Sequence, residues 1–329
     1  MVNVLVTGAT GFVGSHVVDV LLERGLDVSY IARSSSNMRW LEGKTVRRVD
    51  GSLFDYTSLR SAVSNADMII HVAGVIAAKS EADFLRGNRD ATQHLIDAVD
   101  AYRPSLTRFV HISSLAVAGP AASLEQPVRE SDVCKPITAY GRTKKLAEDV
   151  VRSASARIPS TILRPPAVYG PRDEATLTFF ATVNRGIAPL IGFDEKYVSF
   201  INVRDLARGI VDAALHPKAV GETYFVTSRE SYTWPEISTV TAAVLGKRRI
   251  RRVRLPHAVV LGIAGAAGLV SKFRSKPGVL DYEKGIDITR QYWICCPDKA
   301  LHELGFQSQI SLQEGIHETV TWYRDMGWL

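Results

Sequence analysis

Tyr140 and Lys144 stand four residues apart in Tyr140-Gly141-Arg142-Thr143-Lys144, within a stretch patterned as a helix over 138–156. That spacing puts both side chains on one helical face. A phenol with a pKa near ~10 is a poor acid–base group at neutral pH. A neighbouring ammonium favours the phenolate, so the pair can move a proton to or from a carbinol oxygen. Alone, such a pair is common by chance and is usually just a solvated helix face. It gains weight from Phe109-Val110-His111-Ile112-Ser113-Ser114, an apolar strand delivering two hydroxyls at its carboxyl end. One of them can hydrogen-bond the same substrate oxygen.

The second site-forming stretch is Val4-Leu5-Val6-Thr7-Gly8-Ala9-Thr10-Gly11-Phe12-Val13-Gly14, followed by the helical pattern Ser15–Leu22. It reads as a buried strand, a tight turn and an amphipathic helix. Gly8 allows the sharp turn, Gly11 a close backbone approach to a phosphate, and Gly14 close packing of helix on strand. The first helical N–H groups then point at an anion. A glycine turn without a ligand is the plain alternative. The strand before it and the helix after it supply the context a nucleotide site requires.

These motifs need a frame. Strand patterns recur at Asp27–Ala32, Val46–Asp50, Met68–Val72, Arg108–Ile112 and Thr161–Leu163, with helical stretches near 56–65, 81–102 and 138–156 between them. Such alternation predicts an α/β fold, a parallel sheet covered on both faces, with ligands bound outside the carboxyl ends of its strands. Past Tyr169-Gly170-Pro171 the alternation becomes irregular. A strand–helix pair returns at Tyr197–Ala214 and a strand at Thr223–Val226. Thr233-Trp234-Pro235-Glu236 is a capping box opening a helix to about Leu245, and further helices are expected at 297–304 and 311–324. The expected division is a cofactor domain of 1–170 plus about 196–227, with a discontinuous lobe of about 171–195 plus 228–329 over the cleft.

The formal net charge of +6 does not point to nucleic acid, because much of the excess sits in one run, Lys247–Arg254, and nucleotide cofactors are anionic. Cys134, Cys295 and Cys296 lack zinc-ligand spacing and an obvious disulfide partner, which suits reduced thiols in a cytoplasm. No metal site and no secretory signal is expected. After the basic run comes the apolar stretch Ala258–Val270, short of the ~20 residues that span a bilayer. It fits a buried lobe helix; with its basic flank, 247–270 also fits a weak contact with an anionic membrane surface, or a lid.

Taken together, TGxxGxxG (Thr7, Gly8, Gly11, Gly14), Ser113-Ser114-Leu115-Ala116-Val117-Ala118-Gly119 and Tyr140-x-x-x-Lys144 resemble the extended branch of the short-chain dehydrogenase/reductases. The resemblance covers most of the chain. It implies a Rossmann-type doubly wound parallel sheet with a smaller C-terminal substrate lobe, and a catalytic triad of Ser114, Tyr140 and Lys144. The family pattern S-S-x-x-V-x-G selects Ser114, leaving Ser113 as a structural residue or one near the nicotinamide. His71-Val72-Ala73-Gly74 resembles H-V-A-A beside the adenosine ribose, and Arg164-Pro165-Pro166-Ala167-Val168-Tyr169-Gly170-Pro171 matches R-P-x-x-V-Y-G-P along the nicotinamide. Asn88 matches the asparagine of N-x-x-G-T, a residue more often structural than catalytic. The implied cofactor contacts are Gly8, Thr10, Gly11, Phe12, Val13, Gly14, Arg33, Ser34, Ser52, Leu53, Val72, Ala73, Gly74, Ser113, Tyr140, Lys144, Pro165 and Val168. Ser52 replaces the aspartate of G-D-L-x-D that binds the adenine amino group, which puts that contact in doubt.

Members preferring NAD end their second strand with a carboxylate. Here Ile31-Ala32-Arg33-Ser34-Ser35-Ser36 has none, and Arg33 with Ser34 suits a 2′-phosphate, so NADP(H) is expected over NAD(H). A surface arginine without a ligand is the alternative. The family's sugar epimerases and dehydratases, with a tightly held NAD(P), are one functional reading. Against it, Val198 stands where those enzymes carry arginine, and Leu115-Ala116 replaces the dehydratase Asp-Glu. A non-catalytic NADP(H) sensor is a third reading, disfavoured by the intact triad. Ala116-Val117-Ala118-Gly119-Pro120 and Arg142–Glu148 resemble most the 3β-hydroxysteroid dehydrogenase and dihydroflavonol reductase group. The expected activity is therefore NADP(H)-dependent interconversion of a secondary alcohol and a ketone on a small, lipophilic substrate. The resemblance also implies a homodimer through the helices near 81–102 and 138–156.

Overall fold

Alternate residues of the central strands face opposite ways, and both ways are apolar. Val4 and Val6 pack into one buried cluster while Leu5 packs into another. Ile70 and Ile69 divide in the same manner, as do Leu163 and Ile162. Strands greasy on both faces need helices on both faces, which is the condition for a parallel sheet.

The computed structural model describes residues 2–272 and 282–329. Met1 and residues 273–281, which fall within the two expected domains, lie outside the described residues. In chain order the elements are β1 (Asn3–Thr7), α1 (Phe12–Glu23), β2 (Asp27–Ala32), β3 (Arg47–Asp50), α2 (Tyr56–Val63), β4 (Met68–His71), α3 (Glu81–Leu85), α4 (Ala91–Tyr102), β5 (Arg108–Ile112), α5 (Ala139–Ser153), β6 (Ser160–Arg164) and β7 (Ala167–Tyr169). They continue with α6 (Leu177–Asn184), β8 (Ile187–Ile191), β9 (Tyr197–Asn202), α7 (Val203–Leu215), β10 (Thr223–Phe225), β11 (Ser231–Thr233), α8 (Trp234–Val244), β12 (Arg251–Leu255), α9 (His257–Lys272), α10 (Tyr282–Thr289), β13 (Tyr292–Trp293), α11 (Asp298–Leu304) and α12 (Leu312–Asp325).

The large sheet has seven parallel strands in the order β10-β6-β5-β4-β1-β2-β3. It is a Rossmann-type doubly wound sheet, with the order reversing between β1 and β4, where open α/β sheets bind ligands. Helices α1 and α7 cover one face; α2, α4 and α5 cover the other. The helix expected over 81–102 is interrupted: α3 and α4 are joined by a π-turn at Arg86–Asp90, which buries Asn88.

A second sheet pairs β11, β9 and β13, with β7 also on β9, so β7 and β9 leave the large sheet although they flank its elements in sequence. β8 and β12 form a separate parallel ribbon. Around them lies an aromatic core that includes Tyr169, Phe180, Trp234, Trp322 and Tyr323. The predicted capping box is formed: Thr233 Oγ1 accepts from Glu236 N, and the Glu236 carboxylate accepts from Thr233 N. Asn202 caps α7, while Asp205 within it accepts from the N–H groups of Gln309 and Ile310, tying this helix to the start of α12.

Candidate active site

The glycine turn shows why its residues must be small. Gly8 has φ +71°, and a Cβ there would lie 2.7 Å from the backbone nitrogen of Ala73. A Cβ on Gly14 would lie 2.1 Å from the Gly8 carbonyl oxygen. β1, α1 and the end of β4 are therefore in backbone contact. Gly11 is the N-cap of α1 and supplies no side-chain acceptor, and no acid stands in the first turn. The N–H groups beside Phe12, Val13 and Gly14 are thus left for an outside anion, and with half-buried Thr10 in the turn the cradle fits a pyrophosphate.

The neighbouring strand ends extend this cradle. After buried Ala32, Arg33 and Ser34 emerge exposed, and Arg33 makes no ion pair among the described residues. Ser52 and Leu53 follow β3. The Ser52 hydroxyl accepts from Phe54 N at 3.2 Å and Leu53 O accepts from His94 Nδ1 at 3.1 Å, so both groups brace their own loop. Val72 N donates to Thr7 O and Ala73 N to Thr7 Oγ1, which holds the β4 end beside the turn. A Cβ on Gly74 would lie 3.0 Å from Asn88 Oδ1 and 3.8 Å from Lys144 Nζ. There the cofactor strip meets the candidate catalytic helix.

That helix is α5. Thr138 caps it, accepting from Gly141 N at 3.1 Å. A Cβ on Gly141 would lie 2.5 Å from Ala116 O, so only glycine lets α5 press on the 3₁₀ turn Leu115–Val117. Ser114 caps that turn, accepting from Ala116 N at 3.1 Å. Tyr140 and Ser114 are thereby brought together at the end of β5. Burial raises the phenol's pKa, the Ser114 hydrogen bond opposes that, and Asp287 of α10 adds to the rise. Ser113, one residue earlier, is buried beside Glu148. Pro165 lies buried after β6, where its carbonyl accepts from Leu115 N at 2.8 Å, and Val168 sits on β7 against β9.

Lys144 is 4% exposed and its ammonium donates to Ile112 O at 2.5 Å. Burial pulls its pKa down to about 8, against the attraction of Glu148. The expected lowering of the phenol's pKa by this ammonium is not what the geometry produces. Lys144 is engaged by the β5 carbonyl, and burial dominates at Tyr140.

Several supporting groups lie outside the expected site list, Glu148 and Glu283 being those the sequence did not single out. Glu148, one turn beyond Lys144, takes a bidentate pair from buried Arg164, with Nε–Oε1 2.8 Å and NH2–Oε2 2.7 Å. The i, i+4 spacing of Lys144 and Glu148 was a legible signal for it. Asn88 bridges Val75 and the helix: Oδ1 accepts from Val75 N at 2.9 Å and Nδ2 donates to Thr143 Oγ1 at 3.1 Å. His71 spans Thr7 and Thr92, and burial with Lys144 nearby holds its pKa at about 3, so it stays neutral. From the lobe, Glu283 accepts from Ala139 N at the first turn of α5 and from Arg142 at 3.0 Å, while Arg142 also pairs with Glu81 at 3.0 Å.

The anion cradle, with exposed Arg33 at the neighbouring strand end, is thus joined to the Tyr140–Ser114 pair through Gly74, which lies against Asn88 and Lys144. The bound dinucleotide would supply the hydride, and Tyr140 would move the proton at the substrate oxygen. Among the described residues no group of three His, Cys, Asp or Glu side chains is placed to hold a metal.

Comparison with known proteins places the chain in a family and agrees with its fold. The NAD dependent epimerase/dehydratase family model matches residues 4–227. Ceramide reductase of Caulobacter vibrioides is 32% identical over 327 residues, covering 99% of this chain and 96% of that protein. The decarboxylating sterol-4-alpha-carboxylate 3-dehydrogenase of Dictyostelium discoideum is 24% identical over 329 residues, 97% of this chain and 100% of that one. Among solved structures, UDP-glucose 4-epimerase of Thermotoga maritima with UDP-glucose superposes with a TM-score of 0.80 at 23% identity, covering 98% of this chain and 99% of that chain. The chain belongs to the NAD-dependent epimerase/dehydratase family and is an NAD(P)-dependent oxidoreductase of the extended short-chain dehydrogenase type.

Proposed function

We propose that the protein is an NADP(H)-dependent reductase or dehydrogenase interconverting a ketone and a secondary alcohol on a lipophilic substrate, with Ser114, Tyr140 and Lys144 as its catalytic group. The observation that carries this is that Tyr140 lies beside Ser114 on the helix whose Lys144 reaches Gly74, just past the β4 end that packs on Gly8 of the glycine turn. Ser114 orients the substrate oxygen, Tyr140 exchanges the proton, and Lys144 supplies positive charge beneath them. NADP(H) is favoured by the exposed, unpaired Arg33 with Ser34 and by the absence of a carboxylate at that strand end. The relatives named for ceramide and sterol substrates support a lipophilic one. A sugar-nucleotide reading is disfavoured because Val198 is buried in the lobe core and presents no cation to a phosphate. A homodimer through α4 and α5 is part of the proposal; Leu146 is 43% exposed beside Val150 and Ile96 on that face. We assign it to the cytoplasm, in keeping with three free cysteines. Among the described residues no helix is long and apolar enough to cross a membrane.

The test is oxidation of NADPH, followed by absorbance, with a 3-keto-ceramide and a 3-keto-sterol, each repeated with NADH. Turnover with a keto-lipid and NADPH, lost in Tyr140→Phe, is expected. Turnover of UDP-sugars instead, or equal use of both cofactors, overturns the corresponding part.

A further inference from the structure

Helix α9 inverts the usual pattern of a lobe helix. Its inner side is small and buried, with Val260 at 6% and Ala264 at 0% exposure, and Ala264 packs against Gly285 of α10. Its outer side carries Val259, Ile263 and Leu269 at 45%, 51% and 62% exposure, all falling on one helical face. Phe193, 71% exposed, stands in the turn next to the start of α9. Its turn is tied to the start of α9 by His257 Nε2 and Asp194 Oδ1 at 3.6 Å, and to β12 by Arg254, which donates to Gly192 O at 3.3 Å. β12 presents exposed Arg251, Arg252 and Arg254, none of them in an ion pair among the described residues. Asp194, the acid in the Phe193 turn, is already held by Lys196 at 3.2 Å.

We propose that this face docks on the surface of an anionic phospholipid membrane. Exposed arginines outside any described ion pair, on the strand that leads into an apolar helix face, match lipid phosphates over acyl chains. α9 has 16 residues, too few to span, so it lies in the interface with its outer side chains dipped below the phosphates. The inference stands on surface chemistry and holds whatever the substrate. It has a geometric consequence all the same. α10, on the protected side of α9, is the helix whose Glu283 closes the first turn of α5. The bilayer then lies one helix away from Tyr140.

Co-flotation of the full chain with vesicles of phosphatidylcholine, with or without phosphatidylglycerol, tests the proposal. Binding is expected only to the mixed vesicles and weakens as salt rises. An arginine near an anionic surface contributes roughly fivefold to partitioning. Arg251→Gln/Arg252→Gln/Arg254→Gln should therefore lower binding on the order of a hundredfold. Ile263→Ser/Leu269→Ser should lower it at least about tenfold with the charges intact. Thermal melting by circular dichroism confirms that both variants fold. Absence of binding to mixed vesicles, or variants that bind like the wild type, overturns the proposal. So does a concentration-dependent dimer abolished by Ile263→Ser without flotation, which would make a second copy the occupant.

Discussion

Helices α5 and α9 are of similar length, 15 and 16 residues, and break the inside–outside rule in opposite directions. α5 buries polar groups: Thr143, Lys144 and Glu148 are at 0%, 4% and 1% exposure. α9 exposes apolar ones. A buried charge is tolerated only with partners, and each on α5 has them: Ile112 O for Lys144, and Arg164 for Glu148. An exposed apolar side chain needs no partner to persist, so Val259, Ile263 and Leu269 require no such network. Deviation alone therefore does not mark a site; the density of compensating bonds separates the proposed reaction centre from the proposed contact surface.

If that contrast is right, changes on α5 are costly and those on α9 are nearly silent in the folded protein. Tyr140→Phe should cut turnover about 10²–10⁴-fold while NADPH affinity moves within a few-fold, checked by steady-state rates and fluorescence titration. Glu148→Ala strands Arg164 and should cost about 3–5 kcal/mol, read from denaturant midpoints. A loss no larger than that of a surface substitution would mean the pair is not a structural unit. The milder Glu148→Gln removes the charge that supports the Lys144 ammonium. Any limb of the pH–rate profile owed to Lys144, expected near pH 8, should move to lower pH.

The same lysine makes a stability prediction. Its folded pKa of about 8 lies below its ordinary value of 10.5, so between them the unfolded chain binds more protons. The cost of burying the ammonium is full below about pH 8 and is relieved as pH rises. Wild type should gain stability over that window relative to Lys144→Met, in paired urea titrations. Away from α5, Arg33→Ala should weaken NADPH at least about tenfold and barely alter NADH, since a charge-assisted bond is worth roughly 1.5–3 kcal/mol. Equal weakening of both cofactors would return Arg33 to an ordinary surface residue. Smallest of all, Ile263→Ser should change folding stability by only about 0.5 kcal/mol or less.

What could be read from the chain follows the range of the interactions. The glycine turn and the strands beside it were legible because they depend on local backbone geometry and on period-two burial. All seven large-sheet strands occupy nearly the predicted ranges, and the Thr233 capping box is formed as read. The π-turn at Asn88 was not legible, because its cause is a side chain reaching Val75 and Thr143. Nor was Glu283, whose bond to Ala139 spans 144 residues. The departure of β9 into a second sheet is of the same kind, since its partners β7, β11 and β13 come from before and after it. For α9, both a buried helix and a surface patch fitted the composition; which side is covered depends on α10, and the sequence pattern carries no record of that pairing.

The Glu283 contact also bears on how such enzymes can be recombined. A C-terminal lobe that only roofed the cleft could be exchanged between relatives to change what the cleft accepts. Here a lobe residue satisfies a backbone N–H next to Tyr140 and holds Arg142 together with Glu81. A graft that omits this carboxylate leaves α5 with an open first turn. Chimeras of this chain must therefore carry α10 and α5 as one unit, whichever lobe is brought in.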